Sequence, residues 1–257
     1  MFKRLRVAVL LYALLFVAVG EYLAERRSTD WDDTLWVDIY PVNGDQLAST
    51  QRYLDELDPK EFDGVERFFA AEAKRYGLSL AQPFRIHVAA QYRGTLPTLE
   101  TPASALSSLW WSLEMRWLAI KIGWQGSGPK PDIVAFAVYH DSAAAAVLDR
   151  SRALRKGLIA VTNLFAARDA RGSNQMVLAH ELLHTLGATD KYSPASNLPR
   201  FPDGFAEPNA RPLLPQSKAE LMAGRVPVDD RHAEIPDSLR SVVVGQLTAR
   251  EIGWIHE

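Results

Sequence analysis

From His180 to Asp190 the chain reads HELLHTLGATD, and no other stretch restricts its local structure so tightly. In a helix, residues four apart share a face, so His180 and His184 aim their imidazoles at a common point with Glu181 beside them. The run from Asn174 to Leu186 lacks Pro and Gly, which supports a helix with Ser173 or Asn174 as its N-cap oxygen. Leu178, Leu182, Leu183 and Leu186 fall mainly on the side away from the histidines. That side can enter a core while the imidazole side opens to a cleft. Gly187 can take the positive φ that ends the helix, and the returning chain then brings Asp190 toward the two rings.

These residue types suit a divalent metal. Imidazole nitrogens bind Zn²⁺ at roughly 2.0–2.1 Å and carboxylate oxygens at roughly 2.0–2.2 Å, and a catalytic site keeps one position for water. His180, His184 and Asp190 are therefore the candidate ligands, and Zn²⁺ is the expected cofactor. Glu181 is left as a general base, and zinc-assisted hydrolysis is the expected chemistry. Two other readings stay open. The histidines can be ordinary packed or surface groups, or the zinc can be structural, with His232, Glu207 or Glu220 as a fourth ligand.

The run resembles the metal-binding motif of the metzincin zinc peptidases, HExxHxxGxx followed by His or, in the snapalysin-like branch, by Asp. His180, Glu181, His184, Gly187 and Asp190 match the Asp version in order and spacing. The segment Ala219-Glu220-Leu221-Met222-Ala223-Gly224 is similar to the family's Met-turn, with Met222 as the methionine. The resemblance implies a zincin-like α+β fold with an active-site helix, peptide-bond hydrolysis as the activity, and a peptide or protein as substrate. It covers only residues 173–190 and 219–224. Some members carry a Tyr two residues after the Met, where this chain has Gly224. Tyr192 is a candidate substitute for holding an oxyanion, against plain packing at the cleft rim. A non-catalytic zinc-binding envelope protein and a zinc hydrolase of a non-protein amide are the alternatives.

The N-terminus bears on location. Lys3, Arg4 and Arg6 precede an apolar stretch from Val7 to Val19, extended by Tyr22 and Leu23. From Leu5 to Leu23 a helix would reach about 28 Å, close to the roughly 30 Å of a bilayer core. Residues 1–24 are thus expected to be an apolar helix acting as an uncleaved membrane anchor, with the rest outside the cytoplasm, periplasmic or extracellular. Secretion after cleavage near Gly20 is the competing reading. Residues 25–34 read as a polar linker, 35–190 as the lobe carrying the metal-binding helix, and 191–257 as a smaller irregular lobe. The net charge of −2 lacks a long basic stripe beyond the first six residues, so nucleic acid is not an expected partner. With no cysteine, disulfides and thiolate ligands are excluded. A monomer is expected.

The pattern of the body predicts an α/β fold with a mixed twisted sheet. Strands are expected at Leu35–Val42, Phe84–Ala90, Ile133–Tyr139 and Leu158–Ala166, with a helix at Pro59–Tyr76. His87 and His140 read as packed or strand-end residues. In 103–124, Leu106, Leu109, Trp110, Leu113 and Trp117 form a helical stripe, whereas Leu118, Ile120, Ile122 and Trp124 alternate like a strand. A helix-to-strand change near Arg116 is expected, with the stripe in the core; an aromatic wall at a bilayer or a substrate is the alternative. Residues 192–216 hold six prolines and predict a long loop along the cleft. Thr248 and Glu251 suggest a capping box for a last helix through Trp254.

Overall fold

The computed structural model describes residues 27–99, 104–125, 130–144, 147–149, 151–155 and 157–255. The expected N-terminal anchor, and the first two residues of the linker, lie outside the described residues. What is described is a mixed α/β protein built on a five-stranded sheet of order β2-β1-β3-β5-β4. Its strands are β1 (Leu35–Asn43), β2 (Phe84–Val88), β3 (Ile133–His140), β4 (Arg152–Leu154) and β5 (Ile159–Phe165). All neighbours are parallel except β4, which runs antiparallel to β5 at the sheet edge.

Helices cover both faces. α1 (Ala48–Asp55), α2 (Asp63–Arg75) and α4 (Arg171–Thr185) pack on one face, and α3 (Ala105–Gln125) packs on the other. The central strand β3 is buried along nearly its whole length, which explains its unbroken apolar run. Its alternate residues serve opposite cores: Ile133, Ala135, Ala137 and Tyr139 meet α2 and α4, whereas Val134, Phe136 and Val138 meet α3. The first core is rich in rings. Phe69 lies 4.5 Å from Phe84 and 6.3 Å from Trp254 between ring centroids, joining α2, β2 and the C-terminus.

Two sequence expectations are corrected here. Residues 105–125 form one continuous helix, with no strand after Arg116. At roughly 100° per residue, Leu118 and Ile122 fall with Trp111 and Met115 on the sheet-facing side, and Ile120 falls with Trp117 on the opposite side. The apparent alternation is therefore two helical stripes seen in turn. Nor does the stripe of Leu106, Leu109, Trp110, Leu113 and Trp117 enter the core: it faces outward, and Trp111, Met115 and Ile122 are the buried side. The second correction concerns α5 (Gln246–Glu251), which starts after Gly245. Thr248 sits inside it, buried, and donates to Glu220 Oε1 at 2.7 Å, while Glu251 pairs with Lys191; neither caps the helix.

Within Leu158–Ala166 the strand is inner over Ile159–Val161, where β4 pairs with its outer side; Thr162–Phe165 pair with no strand on that side among the described residues. The region after Asp190 is loop-rich, as its prolines require. Short pairs β6 (Ala219–Glu220) with β9 (Val242–Val243), and β7 (Val226–Pro227) with β8 (Ala233–Glu234), order its second half.

Phe69→Ala is expected to cost about 3–5 kcal/mol by removing a fully buried ring from this junction. Urea denaturation followed by tryptophan fluorescence checks it, and a loss below about 1 kcal/mol contradicts the packing described.

Candidate metal centre

The centre is assembled on α4. The expected N-cap oxygens are used otherwise: the helix begins at Arg171, one turn earlier, and no side chain caps it. Asn174 is buried, its Nδ2 donates to Phe165 O at 2.9 Å, and its Oδ1 accepts from Phe165 N at 3.0 Å. The amide thus clamps the helix onto the end of β5. Leu178, Leu182, Leu183 and Leu186 are fully buried on the sheet side. The helix ends as its glycine requires, with Gly187 at φ 102° and Ala188 N donating to Leu183 O at 3.0 Å.

His180, His184 and Asp190 meet at one place. Nε2 of His180 and Nε2 of His184 each lie 3.2 Å from the same oxygen, Asp190 Oδ1. The potential ligand atoms of His180, Glu181 and His184 all lie within 4.8 Å of one another. Each imidazole is also oriented from behind. Nδ1 of His180 lies 3.0 Å from Leu221 O, and Nδ1 of His184 lies 2.8 Å from Ala188 O. A carbonyl can only accept, so Nδ1 of each ring must carry the proton. Both Nε2 atoms of the neutral rings are then bare acceptors facing a third acceptor, Asp190 Oδ1. Three lone-pair donors converging in this way fit a divalent cation, and the Nδ1–carbonyl contacts are the support that metal-binding histidines characteristically have.

The electrostatics of the cluster follow from burial and from these mutual contacts. Burial opposes charge on His180, but the Asp190 contact, the Glu181 charge and the Leu221 carbonyl outweigh it, and its pKa is raised. Burial likewise tends to raise Asp190, yet the two histidine contacts prevail and hold its carboxyl well below the usual carboxylate range. Glu181 is pushed up, chiefly by burial and further by Asp190, against the two histidines. Its side chain is almost wholly buried, and Oε2 has no hydrogen-bond partner among the described residues.

The segment from Ala219 to Gly224 runs beneath the rings. Leu221 supplies the carbonyl for His180, Met222 is fully buried, and Met222 O accepts from Lys191 N at 2.9 Å. Gly224 adopts φ 70°, a left-handed conformation that glycine takes readily. Tyr192 lines the same cleft as the histidines, in a bridge with Pro199. The cleft has a volume of about 870 Å³ and takes residues from α3, β4, α4 and the C-terminal loops.

The three alternative fourth ligands are engaged elsewhere. Glu207 accepts from Ser217 Oγ at 2.9 Å, and exposed His232 lies 3.5 Å from Glu234. Glu220 is fully buried and accepts from Ala223 N, Gly245 N and Thr248 Oγ1. None of the three joins the cluster, whose carboxylates are Asp190 and Glu181.

Sequence reasoning missed the residues that hold the Asp190 loop. Lys191 is buried, and its Nζ donates to Thr189 O at 2.8 Å and to Glu251 Oε2 at 2.7 Å. Glu251 also accepts from Thr189 N at 3.0 Å. Arg200 donates to Asp190 O at 2.5 Å. The only signal in the sequence was the adjacency of Lys191 and Thr189 to Asp190; nothing local marks Glu251, more than sixty residues away.

No protein-family model matches the chain, and no curated protein matches it. Among solved structures it is similar to one described as "Structure of a chaperone-substrate complex", with 13% sequence identity and a TM-score of 0.34. The match covers 88% of this chain and spans 36% of that one. A likeness of that size specifies neither a shared fold nor a shared activity.

Glu220→Ala is expected to destabilise the protein by about 3 kcal/mol, because it strands the Gly245 N–H and the buried Thr248 hydroxyl and leaves a cavity in place of a fully buried side chain. Since the same turn presents Leu221 O to His180, any affinity of the cluster for a divalent cation, probed with zinc, is expected to fall with it. Chemical denaturation and a competitive zinc titration check both effects, and an unchanged zinc affinity contradicts the role given to the turn.

Proposed function

We propose that the protein is a zinc-dependent metallopeptidase of the metzincin kind, with a zincin-like fold, and that it works outside the cytoplasm on the tether of its N-terminal segment. His180, His184 and Asp190 would hold the metal, and Glu181 would be the general base. The observation that carries this reading is the meeting of three acceptor atoms, His180 Nε2, His184 Nε2 and Asp190 Oδ1, in an open cleft, with both Nδ1 atoms tied to carbonyls.

Zinc in such a site supplies a Lewis acid that polarises the scissile carbonyl and lowers the pKa of a water to about 7. The chain's own residues do the rest. Glu181 takes a proton from the attacking water on one carboxylate oxygen and delivers it to the nitrogen of the leaving amine. Glu181 Oε2, buried and without a hydrogen-bond partner among the described residues, is the oxygen left for that transfer. Asp190 and the two histidines stay fixed through the reaction because backbone carbonyls and the Lys191–Glu251 pair hold their supports. Tyr192 is positioned at the cleft as a candidate oxyanion donor.

The sheet offers a way to seat an extended peptide. β4 is an edge strand whose outer side pairs with no strand among the described residues, and Arg152 and Ala153 line the cleft. A substrate strand laid along that edge would gain main-chain hydrogen bonds and pass beside the metal ligands.

Glu181→Gln is expected to lower hydrolysis of a mixed peptide library by roughly 100-fold or more while zinc is retained. His184→Ala and Asp190→Ala are expected to lose zinc and activity together, and a chelator should abolish turnover until zinc is returned. Elemental analysis beside the peptide assay measures both quantities. Undiminished cleavage by Glu181→Gln would refute the mechanism; Glu181-dependent turnover of a non-protein amide with every peptide left intact would move the activity to another amide class.

A further inference from the structure

The outward face of α3 is not used by anything described so far. Leu106, Leu109, Trp110, Leu113, Trp117 and Ile120 stand on it side by side, Leu106 at 76% exposure and the two tryptophans at 64%. They are six of the eleven large hydrophobic residues exposed among the described residues; the others are scattered over the surface. A contiguous apolar stripe on one helix marks a contact surface, because a soluble monomer seldom leaves one in water. The helix itself does not span a bilayer: no described helix is long and apolar enough to cross one. Its other face is committed to the sheet through Trp111, Met115 and Ile122.

We propose that this stripe is a membrane-docking face that lies in the boundary between lipid headgroups and acyl chains. Tryptophans suit that boundary, since the ring enters the apolar layer while the indole N–H keeps a polar partner. Trp110 has such a partner on its own helix, Glu114 Oε1 at 2.7 Å. Exposed Lys121 lies beside the stripe, so an ammonium group stands where a lipid phosphate would be. The chain preceding the described residues supplies the bilayer. Its basic start and apolar stretch, extended to Leu23, read as an anchor, and only Ala24 to Arg27 separate it from buried Ser28 and Trp31, four residues that span at most roughly 14 Å. The nearest large apolar surface within reach of the tethered domain is thus the membrane itself. The choice of a lipid occupant rests on the anchor reading given above.

Docking through α3 would set the orientation of the cleft. Trp111, on the buried side of the same helix, lines the cleft that holds His180, Glu181 and His184. The helix that rests on lipid therefore also forms a wall of the site, and the substrate class this favours is a peptide segment close to the bilayer surface.

The chain has no cysteine, so single cysteines in the full-length protein report one position at a time. Leu113→Cys and Trp117→Cys probe the stripe, Arg67→Cys on α2 is an exposed control on the opposite sheet face, and Tyr12→Cys probes the anchor separately. Each variant is labelled with an environment-sensitive fluorophore and reconstituted into phosphatidylcholine vesicles with a minority of phosphatidylglycerol. Nitroxide-bearing phosphatidylcholine is then the quencher. Labels at 113 and 117 are expected to be quenched roughly threefold or more beyond the label at 67. Equal quenching at the three positions overturns the docking face. So does shielding of 113 and 117 from aqueous iodide without lipid quenching, which would mean contact with a second protein chain. Quenching at 12 but not at 113 and 117 sinks docking and leaves the anchor standing; quenching at 113 and 117 but not at 12 keeps docking and removes the anchor.

Discussion

Everything at the candidate centre depends on the burial of one side of α4 against the sheet. Leu178, Leu182, Leu183 and Leu186 occupy the core beneath β3 and β5, and Asn174 ties the first turn to Phe165. With its back committed in this way, the helix has no rotational freedom, and both imidazoles are presented to the cleft at a set angle. Burial of apolar side chains of this size contributes about 1.5–3 kcal/mol each, more than any single polar contact at the surface of the site. The polar arrangement is therefore an outcome of packing, made possible by a helix whose two faces differ in chemistry.

A second layer of constraint comes from the C-terminal third of the chain. Leu221 O orients His180, Met222 O holds Lys191, and Lys191 with Glu251 holds the loop on which Asp190 sits. Glu220 binds the turn to Gly245 and Thr248. The irregular lobe thus contributes backbone carbonyls and the largely buried Lys191–Glu251 ion pair where the sheet contributes apolar area. A catalytic metal site needs both: ligands held rigidly, and an approach left open.

Helix α3 reveals why a periodic pattern can mislead. Apolar residues on two opposite sides of a helix leave little net amphipathic signal, and their interleaving over Leu118–Trp124 imitates a strand. Only the sheet behind the helix tells which side is inside. Trp111 and Met115 are covered by Val134, Phe136 and Val138, whereas Trp110 and Trp117 face outward. The same outward residues that read as core in the sequence are the ones a bilayer would receive.

The sequence alone determined most strands of the sheet, the helix of the HELLH run and its glycine stop, and the grouping of His180, Glu181 and His184, because each follows from local periodicity or from residues within one or two helical turns. Asp190 was legible for the same reason, three residues beyond the glycine. Tertiary structure alone decided the rest: Asn174 serves as a clamp in place of a cap, β4 shields Ile159–Val161 at the edge, and Glu251 supports a loop sixty residues away. Such choices compare the free energies of long-range partners, and no local window of residues contains those partners.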